Sequence, residues 1–165
     1  MNAPTLANEL LLKRGFILEK EYQLYEHQAQ YYETDQMRII HHSNYIRWFE
    51  EARTDLMEQI GFGYDQMEKQ GIIVPVLSVN CEYKSMVYYN DRVYIIPKIE
   101  VFNGIRLHIS YRIIDKMTGE LRSFGESKHC FLSDKGRPVS LKKVDKYLYD
   151  LFDTYVGVDF EPKEN

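Results

Sequence analysis

The sequence predicts an α+β fold in which an antiparallel sheet curves around one long helix. Two patterns support this prediction: a helical period of three to four residues over 45–60, and strict alternation in three runs between 76 and 114. The 14 tyrosines and 8 phenylalanines also favour a sheet, because aromatic rings pack well on pleated surfaces. With 165 residues the chain suits one domain. We expect an extension over 1–18, a single domain over 19–155 and a flexible tail over 156–165.

The first half of the chain predicts a short helix, a strand and then the long helix. "LANELLLKR" in the extension has weak helical spacing, and "EKEYQLYEHQAQYY" (19–32) alternates imperfectly, as a first strand or strand pair would. Ser43 or Asn44 is the expected N-cap of the long helix, and Gly61 and Gly63 are expected to end it. Its buried face is predicted to hold Tyr45, Trp48, Phe49, Ala52, Leu56 and Ile60.

The second half predicts a meander of strands closed by a helix. The runs 76–84, 91–102 and 105–114 alternate with period two, and Asn103-Gly104 is a favoured hairpin turn between the last two. Valines and isoleucines at 93, 95, 99 and 101 are expected to share one face. The fourth run, 121–133, alternates less clearly, and Gly125 is interpreted as a bulge. "LKKVDKYLYDLF" then predicts one C-terminal helix that packs through Val144, Tyr147, Leu148, Leu151 and Phe152.

Charge and cysteine content exclude several classes of partner. The net charge of −4 and the pI near 5.8 provide no global basic field, so we expect no nucleic-acid partner. No apolar stretch approaches the roughly 20 residues of a membrane span, and the N-terminus lacks the pattern of a secretory signal. Cys81 and Cys130 have no partners at metal-ligand spacing, which indicates free thiols in a reducing cytoplasm. We expect neither a metal nor a cofactor.

The stretch "YYETDQMRIIHHSNYIRW" (31–48) contains the candidate chemistry. It places Asp35 at the end of a strand and His41 and His42 just before the long helix. A helix N-terminus has free N–H groups and a partial positive charge, which suit an oxyanion that forms on a carbonyl oxygen. The ionised carboxylate of Asp35 could act on the same carbonyl group. The alternative interpretation is that Asp35 has only a structural role, as a carboxylate that caps a turn.

The chain resembles the hot-dog-fold acyl-CoA thioesterases of the 4-hydroxybenzoyl-CoA thioesterase-like group over about 25–152. The matching residues are Tyr32 to Met37, His42 to Tyr45, Trp48 to Arg53, Tyr83-Lys84, Asp91, Gly125 to Ser127 and Gly136 to Pro138. The resemblance implies a hot-dog fold, a homodimer or a dimer of dimers with sites between subunits, and hydrolysis of an acyl-CoA thioester by water.

The resemblance also assigns residues. It makes Asp35 the catalytic carboxylate, as general base or as nucleophile, and makes the backbone amide of His42 the oxyanion donor. Tyr32, Arg38, Asn44 and Tyr45 are the candidates for substrate binding. Members of the group commonly have Gly where this chain has Arg38, in a turn where positive φ is expected; a non-Gly residue there costs on the order of 1 kcal/mol.

Alternatives remain open at this point. The helix aromatics Tyr45, Trp48 and Phe49 form either an acyl pocket or plain core. Lys84, Arg92, Arg106 and Arg112 either bind CoA phosphates or form a solvated face. A non-catalytic module that binds acyl-CoA or an acyl carrier protein is the second hypothesis. Hydratase chemistry is a third, disfavoured because Glu50 and Glu51 fall on the polar face of the helix.

Overall fold

The computed structural model describes residues 22–61 and 63–162. The expected extension over 1–18, with its short helix, lies outside this part. The strands are β1 (Tyr25–Gln28), β2 (Ile72–Ile73), β3 (Val76–Tyr83), β4 (Arg92–Phe102), β5 (Arg106–Asp115), β6 (Leu121–Cys130) and β7 (Leu132–Ser133). The helices are α1 (Ser43–Gln59), α2 (Tyr64–Lys69), α3 (Leu141–Val144) and α4 (Lys146–Tyr155), and a 3₁₀ turn covers Tyr31–Glu33.

One antiparallel sheet packs against α1, as predicted. Its strand order is β1-β4-β5-β6-β3, and β2 pairs separately with β7. The apolar face of α1 is buried, with Trp48 0% and Phe49 1% exposed, and the Phe49 ring stacks on Tyr111 of β5 at 4.4 Å between centroids. These aromatics are therefore core in this chain. None of the helices within 22–61 and 63–162 has the length and apolar character that a membrane span requires.

Gly125 does not form a bulge, so that interpretation is wrong. It pairs in register with Cys81 of β3 and Tyr111 of β5, and the irregularity of the β5–β6 pairing lies between Ile113 and Ile114. A Cβ at Gly125 would clash with the carbonyl oxygen of Asn80 and would lie 2.8 Å from Cε2 of Phe49. Glycine is required here because α1 and β3 approach the backbone closely.

Two more predictions about the second half need correction. Val101 is 45% exposed, because the β4–β5 pairing shifts register between Ile99 and Val101 and turns its side chain outward. The C-terminal helix is broken at Asp145, whose carboxylate caps α4 by accepting a hydrogen bond from the Leu148 amide at 3.0 Å. The break leaves Val144 and Tyr147 exposed.

The tail predicted to be flexible from 156 is instead packed through Glu161. Val158 and Phe160 are 2% and 8% exposed. Arg112 of β5 pairs with Glu161 at 2.7 Å and donates to the carbonyl oxygen of Phe160 at 3.2 Å. Lys98 adds an ion pair with Asp159. This segment therefore extends the packed domain beyond residue 155.

A buried polar network joins α1 to β5 and β6. The hydroxyl groups of Tyr111 and Ser127 are 2.7 Å apart, and the Ser127 hydroxyl lies 2.7 Å from Nε2 of His129. Nη1 of Arg53 in α1 lies 3.5 Å from Nε2 of His129, and Nε of Arg53 donates to the Tyr64 hydroxyl at 2.8 Å. Burial, together with the nearby Arg53 cation, lowers the pKa of His129 to about 4. The imidazole is therefore neutral at physiological pH.

Candidate active site

Asp35 opens a tight hairpin turn that ends at Ile39. Its amide donates to the carbonyl oxygen of Ile39 at 2.9 Å, and the Arg38 amide donates to the Asp35 carbonyl oxygen at 2.9 Å. The carboxylate is half-buried, and Oδ1 accepts a hydrogen bond from the Met37 amide at 2.7 Å. Among the described residues, the other carboxylate oxygen has no hydrogen-bond partner. One oxygen therefore caps the turn and the second remains available.

Arg38 has the positive φ that the sequence analysis expected at this turn. Its φ is 63°, at the third of the three loop residues between Asp35 and Ile39, where glycine is the favoured residue. The main chain thus follows the left-handed path despite a cost of about 1 kcal/mol for a residue with a Cβ. The Arg38 side chain is exposed beside Asp35.

The start of α1 offers an unpaired donor. His42 is the N-cap residue, with φ −53° and ψ −30°, and no side chain of the described residues caps the helix there. The Asn44 amide donates to the His41 carbonyl oxygen at 3.0 Å, whereas the His42 N–H has no hydrogen-bond partner in the described part of the chain. This N–H and the positive end of a 17-residue helix favour an anion at this point.

The prediction of Ser43 or Asn44 as the N-cap is wrong. The Ser43 hydroxyl lies 2.9 Å from Nδ1 of His41, so it is engaged outside the helix. The Asn44 side chain donates from Nδ2 to the carbonyl oxygens of Glu33 at 2.9 Å and His41 at 3.3 Å. Asn44 therefore binds the preceding hairpin rather than accepting from the first turn of the helix.

Glu33 joins the Asp35 hairpin to the start of the helix. Its carbonyl oxygen accepts from the His41 amide at 2.8 Å and from Nδ2 of Asn44. Asp35 follows Glu33 by two residues, and His42 follows His41 directly. The structure therefore places the two predicted catalytic residues, Asp35 and His42, on one hydrogen-bonded unit.

Tyr83 of β3 is a further residue of this unit; it is among the residues that match the family, but nothing in the sequence indicated its role. Its hydroxyl donates to the His42 carbonyl oxygen at 3.0 Å, and its ring packs edge-on against Tyr45 at 4.9 Å. Burial raises the pKa of both phenols to about 12, so each keeps its proton at neutral pH. The hydrogen bond orients the peptide that begins the helix. Alternation over 76–84 predicted the strand, but alternation could not identify the partner of Tyr83.

The four candidates for substrate binding fall into two groups. Tyr32 is 80% exposed and, like Arg38, lies on the surface near Asp35. Asn44 and Tyr45 are 8% and 3% exposed, and each is engaged with protein groups. The exposed surface around the hairpin is rich in large apolar side chains: Tyr31, Tyr32, Met37, Met86, Tyr88 and Tyr89.

Other chemistries find less support in this structure. Burial raises the pKa of the Cys81 thiol, which weakens it as a nucleophile. Within the described residues no cluster of three His, Cys, Asp or Glu side chains could hold a metal ion. A groove of about 620 Å³ runs along the outer face of α1, where Glu50, Glu51, Asp55 and Glu58 give it an acidic lining. Such a lining repels phosphate groups, and Glu50 and Glu51 belong to this groove.

The basic residues proposed for CoA phosphates are mostly paired with carboxylates. Arg92 lies 2.9 Å from Glu26, and Lys84 lies 3.4 Å from Glu82. Arg112 binds the C-terminal segment, as described above. The exposed Arg38 and Arg106 have no ion-pair partner among the described residues.

Three comparisons place this geometry among known proteins. Residues 30–148 match the family model of the thioesterase-like superfamily. The Bacillus subtilis (strain 168) protein YneP, provisionally named an acyl-CoA thioesterase, is 36% identical over 119 residues, which cover 72% of this chain and 86% of YneP. The structure of DHNA-CoA thioesterase from Staphylococcus aureus is 34% identical with a TM-score of 0.75, over 79% of this chain and 87% of that one. A hypothetical protein from Aquifex aeolicus is 33% identical with a TM-score of 0.71, over 79% and 99%.

Proposed function

The chain belongs to the thioesterase-like superfamily with a hot-dog fold, and from this membership we propose that it hydrolyses an acyl-CoA thioester to a free acid and CoA. The relatives named as CoA thioesterases support the choice of a CoA thioester. The observation that carries the proposal is the hydrogen-bonded unit that joins the Asp35 hairpin to the start of α1. A carboxylate with one available oxygen and an unpaired amide are then both present for one carbonyl group.

The mechanism follows from these two groups. The N–H of His42 donates to the thioester oxygen as negative charge develops on it, assisted by the dipole of α1. In one route Asp35 removes a proton from the attacking water, the C–S bond then breaks, and the departing CoA thiolate takes up that proton. In the other route Asp35 attacks the carbonyl carbon, which breaks the C–S bond, releases the CoA thiolate and leaves a mixed anhydride that water then hydrolyses. Tyr83 holds the His42 carbonyl oxygen and so fixes the peptide that follows. Tyr32 and Arg38, three residues before and three residues after Asp35, are exposed and are the proposed substrate contacts on this surface.

We further propose a cytoplasmic homodimer or dimer of dimers. β3 is an edge strand with one neighbour, and its Leu77 and Val79 side chains are 57% and 40% exposed. An unpaired edge with apolar side chains favours pairing with a second copy. An acyl carrier protein in place of CoA remains part of the same proposal, because the reacting thioester is identical.

The Asp35→Asn variant tests the function. An Asn side chain can still accept from the Met37 amide, so the turn is preserved while the negative charge is lost. We expect kcat for the best acyl-CoA to fall by roughly 100-fold or more, measured as release of the CoA thiol. Asp145→Asn is the matched control, because Asp145 also accepts from a backbone amide but lies in the α4 cap. A wild-type rate in Asp35→Asn would exclude the assigned role.

The turn cap made by Asp35 Oδ1 favours a second candidate, a non-catalytic module that binds acyl-CoA. In such a module the carboxylate would serve only the hairpin. Tight binding of acyl-CoA by the wild-type protein without release of CoA thiol would support this candidate and exclude hydrolysis.

A further inference from the structure

Glu33 is a buried carboxylate that the proposed mechanism does not use. It is 6% exposed and accepts hydrogen bonds from three different segments. Oε1 accepts from the indole Nε1 of Trp48 at 2.8 Å, and Oε2 accepts from the Gln30 amide at 2.7 Å. Nε2 of His27 lies 3.0 Å from Oε2. Its partners therefore lie on β1, at the start of the 3₁₀ turn and in the second turn of α1.

These contacts keep Glu33 ionised despite its burial. Burial alone favours the neutral acid, but the hydrogen bonds from the Gln30 amide, His27 and Trp48 outweigh it and hold the pKa of Glu33 below its usual value. Hydrogen bonds to a charged acceptor are short and strong, and a buried donor that loses its acceptor is left unpaired. The carboxylate is therefore a firm attachment point between the three segments.

The same residue also holds the start of the helix through its main chain. Its carbonyl oxygen accepts from the His41 amide and from the Asn44 side chain, as described above. Asp35 is two residues further along the hairpin, about 7 Å in extended chain. Side chain and backbone of Glu33 together thus constrain where Asp35 stands relative to the His42 amide.

We propose that Glu33 is a positioning residue for thioester hydrolysis, which acts through Asp35 and the first turn of α1 without touching the substrate. This inference rests on the proposed function. Removing the carboxylate shifts the hairpin relative to the helix, which lowers the rate of the chemical step more than it alters substrate binding.

The Glu33→Gln variant of the full-length chain tests this role. Glutamine has nearly the same shape, but its NH₂ group cannot accept from the Gln30 amide while its oxygen remains with Trp48. We expect kcat to fall about 10- to 100-fold with KM little changed, because a small misplacement of catalytic groups costs that much. Trp48→Phe removes the indole donor and retains an aromatic ring, and we expect it to lower kcat as well. It replaces Glu33→Gln as the test variant if Glu33→Gln does not fold.

Fluorescence gives a second reading that does not depend on activity. Trp48 is the sole tryptophan of the chain, so the tryptophan emission reports the surroundings of this one side chain. Excitation moves electron density from the pyrrole to the benzene ring of indole, so a carboxylate at Nε1 lowers the excited state and shifts emission to longer wavelength. We expect Glu33→Gln to shift the emission to shorter wavelength. Unchanged emission would mean that the contact is absent and would overturn the inference.

Tyr111→Phe is the control for general loosening, because it removes a buried hydrogen bond outside residues 27–48. We expect it to lower Tm and leave kcat unchanged. An equal fall of kcat in Tyr111→Phe at an equal loss of Tm would overturn the inference, as would retained kcat in a Glu33→Gln variant with shifted emission. Failure of the wild-type protein to hydrolyse any acyl-CoA would instead refute the proposed function, and the emission of Glu33→Gln would still decide whether the carboxylate binds Trp48.

Discussion

Gly125→Ala tests whether the helix and the edge strand meet at the backbone of β6. The added methyl group would clash with the carbonyl oxygen of Asn80, the residue before the β3 partner of Gly125, and would sit 2.8 Å from Cε2 of Phe49 and 3.1 Å from the carbonyl carbon of Asn80. The Phe49 ring cannot move away freely, because it stacks on Tyr111. The strands on both sides of Gly125 are paired in register, so the backbone has little room to shift.

The expected loss of folding stability lies at the upper end of the range for overpacked cores. Added methyl groups in packed cores typically destabilise by about 1–3 kcal/mol, and a clash with fixed backbone favours about 3 kcal/mol. For a chain of this size that cost corresponds to a fall in Tm of roughly 6–12 °C. Both values follow from steric overlap, because Gly125 does not have a positive φ.

Thermal unfolding followed by circular dichroism measures this cost, with Gly119→Ala as the control. Gly119 has φ 73°, and no atom lies within 4 Å of the position that a methyl group would take there. Alanine at 119 therefore suffers only the left-handed backbone penalty of about 1 kcal/mol. A Tm for Gly125→Ala no lower than that of Gly119→Ala would refute the close approach of α1 and β3.

Three further predictions concern the turn at Arg38, the buried His129 and the C-terminal segment. Arg38→Gly should raise the free energy of unfolding in urea by roughly 0.5 kcal/mol, since it relieves the strain at φ 63° but adds entropy to the unfolded chain; a fall would contradict the turn geometry. Folded His129 binds a proton only near pH 4, whereas the unfolded residue does so near 6.5, so stability present above pH 6.5 is lost as pH falls, by about 2 kcal/mol at pH 5. His129→Gln should lack this part of the pH dependence of Tm. Arg112→Ala should change the free energy of unfolding by less than about 1 kcal/mol but accelerate chymotrypsin cleavage beside Phe160, and equal cleavage rates would show that the ion pairs do not hold this segment.

The regular elements were predictable because their side-chain period is a direct consequence of backbone geometry. Residues 45–60 and the three alternating runs gave α1, β3, β4 and β5 with small errors at the ends. The errors occur where a tertiary contact decides. Gly125 looks like a bulge in the sequence, whereas its actual constraint comes from Asn80 and Phe49 on other elements. Val101 was misplaced because one register shift reverses the face of the following residue.

In the candidate site, too, the residues in a local motif were predictable, whereas those defined by distant contacts were not. Asp35 and His42 could be proposed from a local motif, and the left-handed turn at Arg38 followed from the residue that the family favours there. Glu33 and Tyr83 could not be assigned roles, because their partners Trp48 and His42 lie 15 and 41 residues away in sequence. The N-cap was mispredicted because Ser43 and Asn44 bind groups that precede the helix.

Two features of β3 have a joint consequence. The strand has an unpaired backbone edge along its length, and the hydroxyl of its last residue, Tyr83, donates a hydrogen bond to the His42 carbonyl oxygen at the start of α1. A second copy that paired with this edge would restrict the strand and, through the Tyr83 hydroxyl, the His42 carbonyl oxygen. In the proposed dimer, pairing at this edge would therefore also restrict the backbone around the proposed oxyanion donor, and we expect dilution into monomers to lower the rate of hydrolysis.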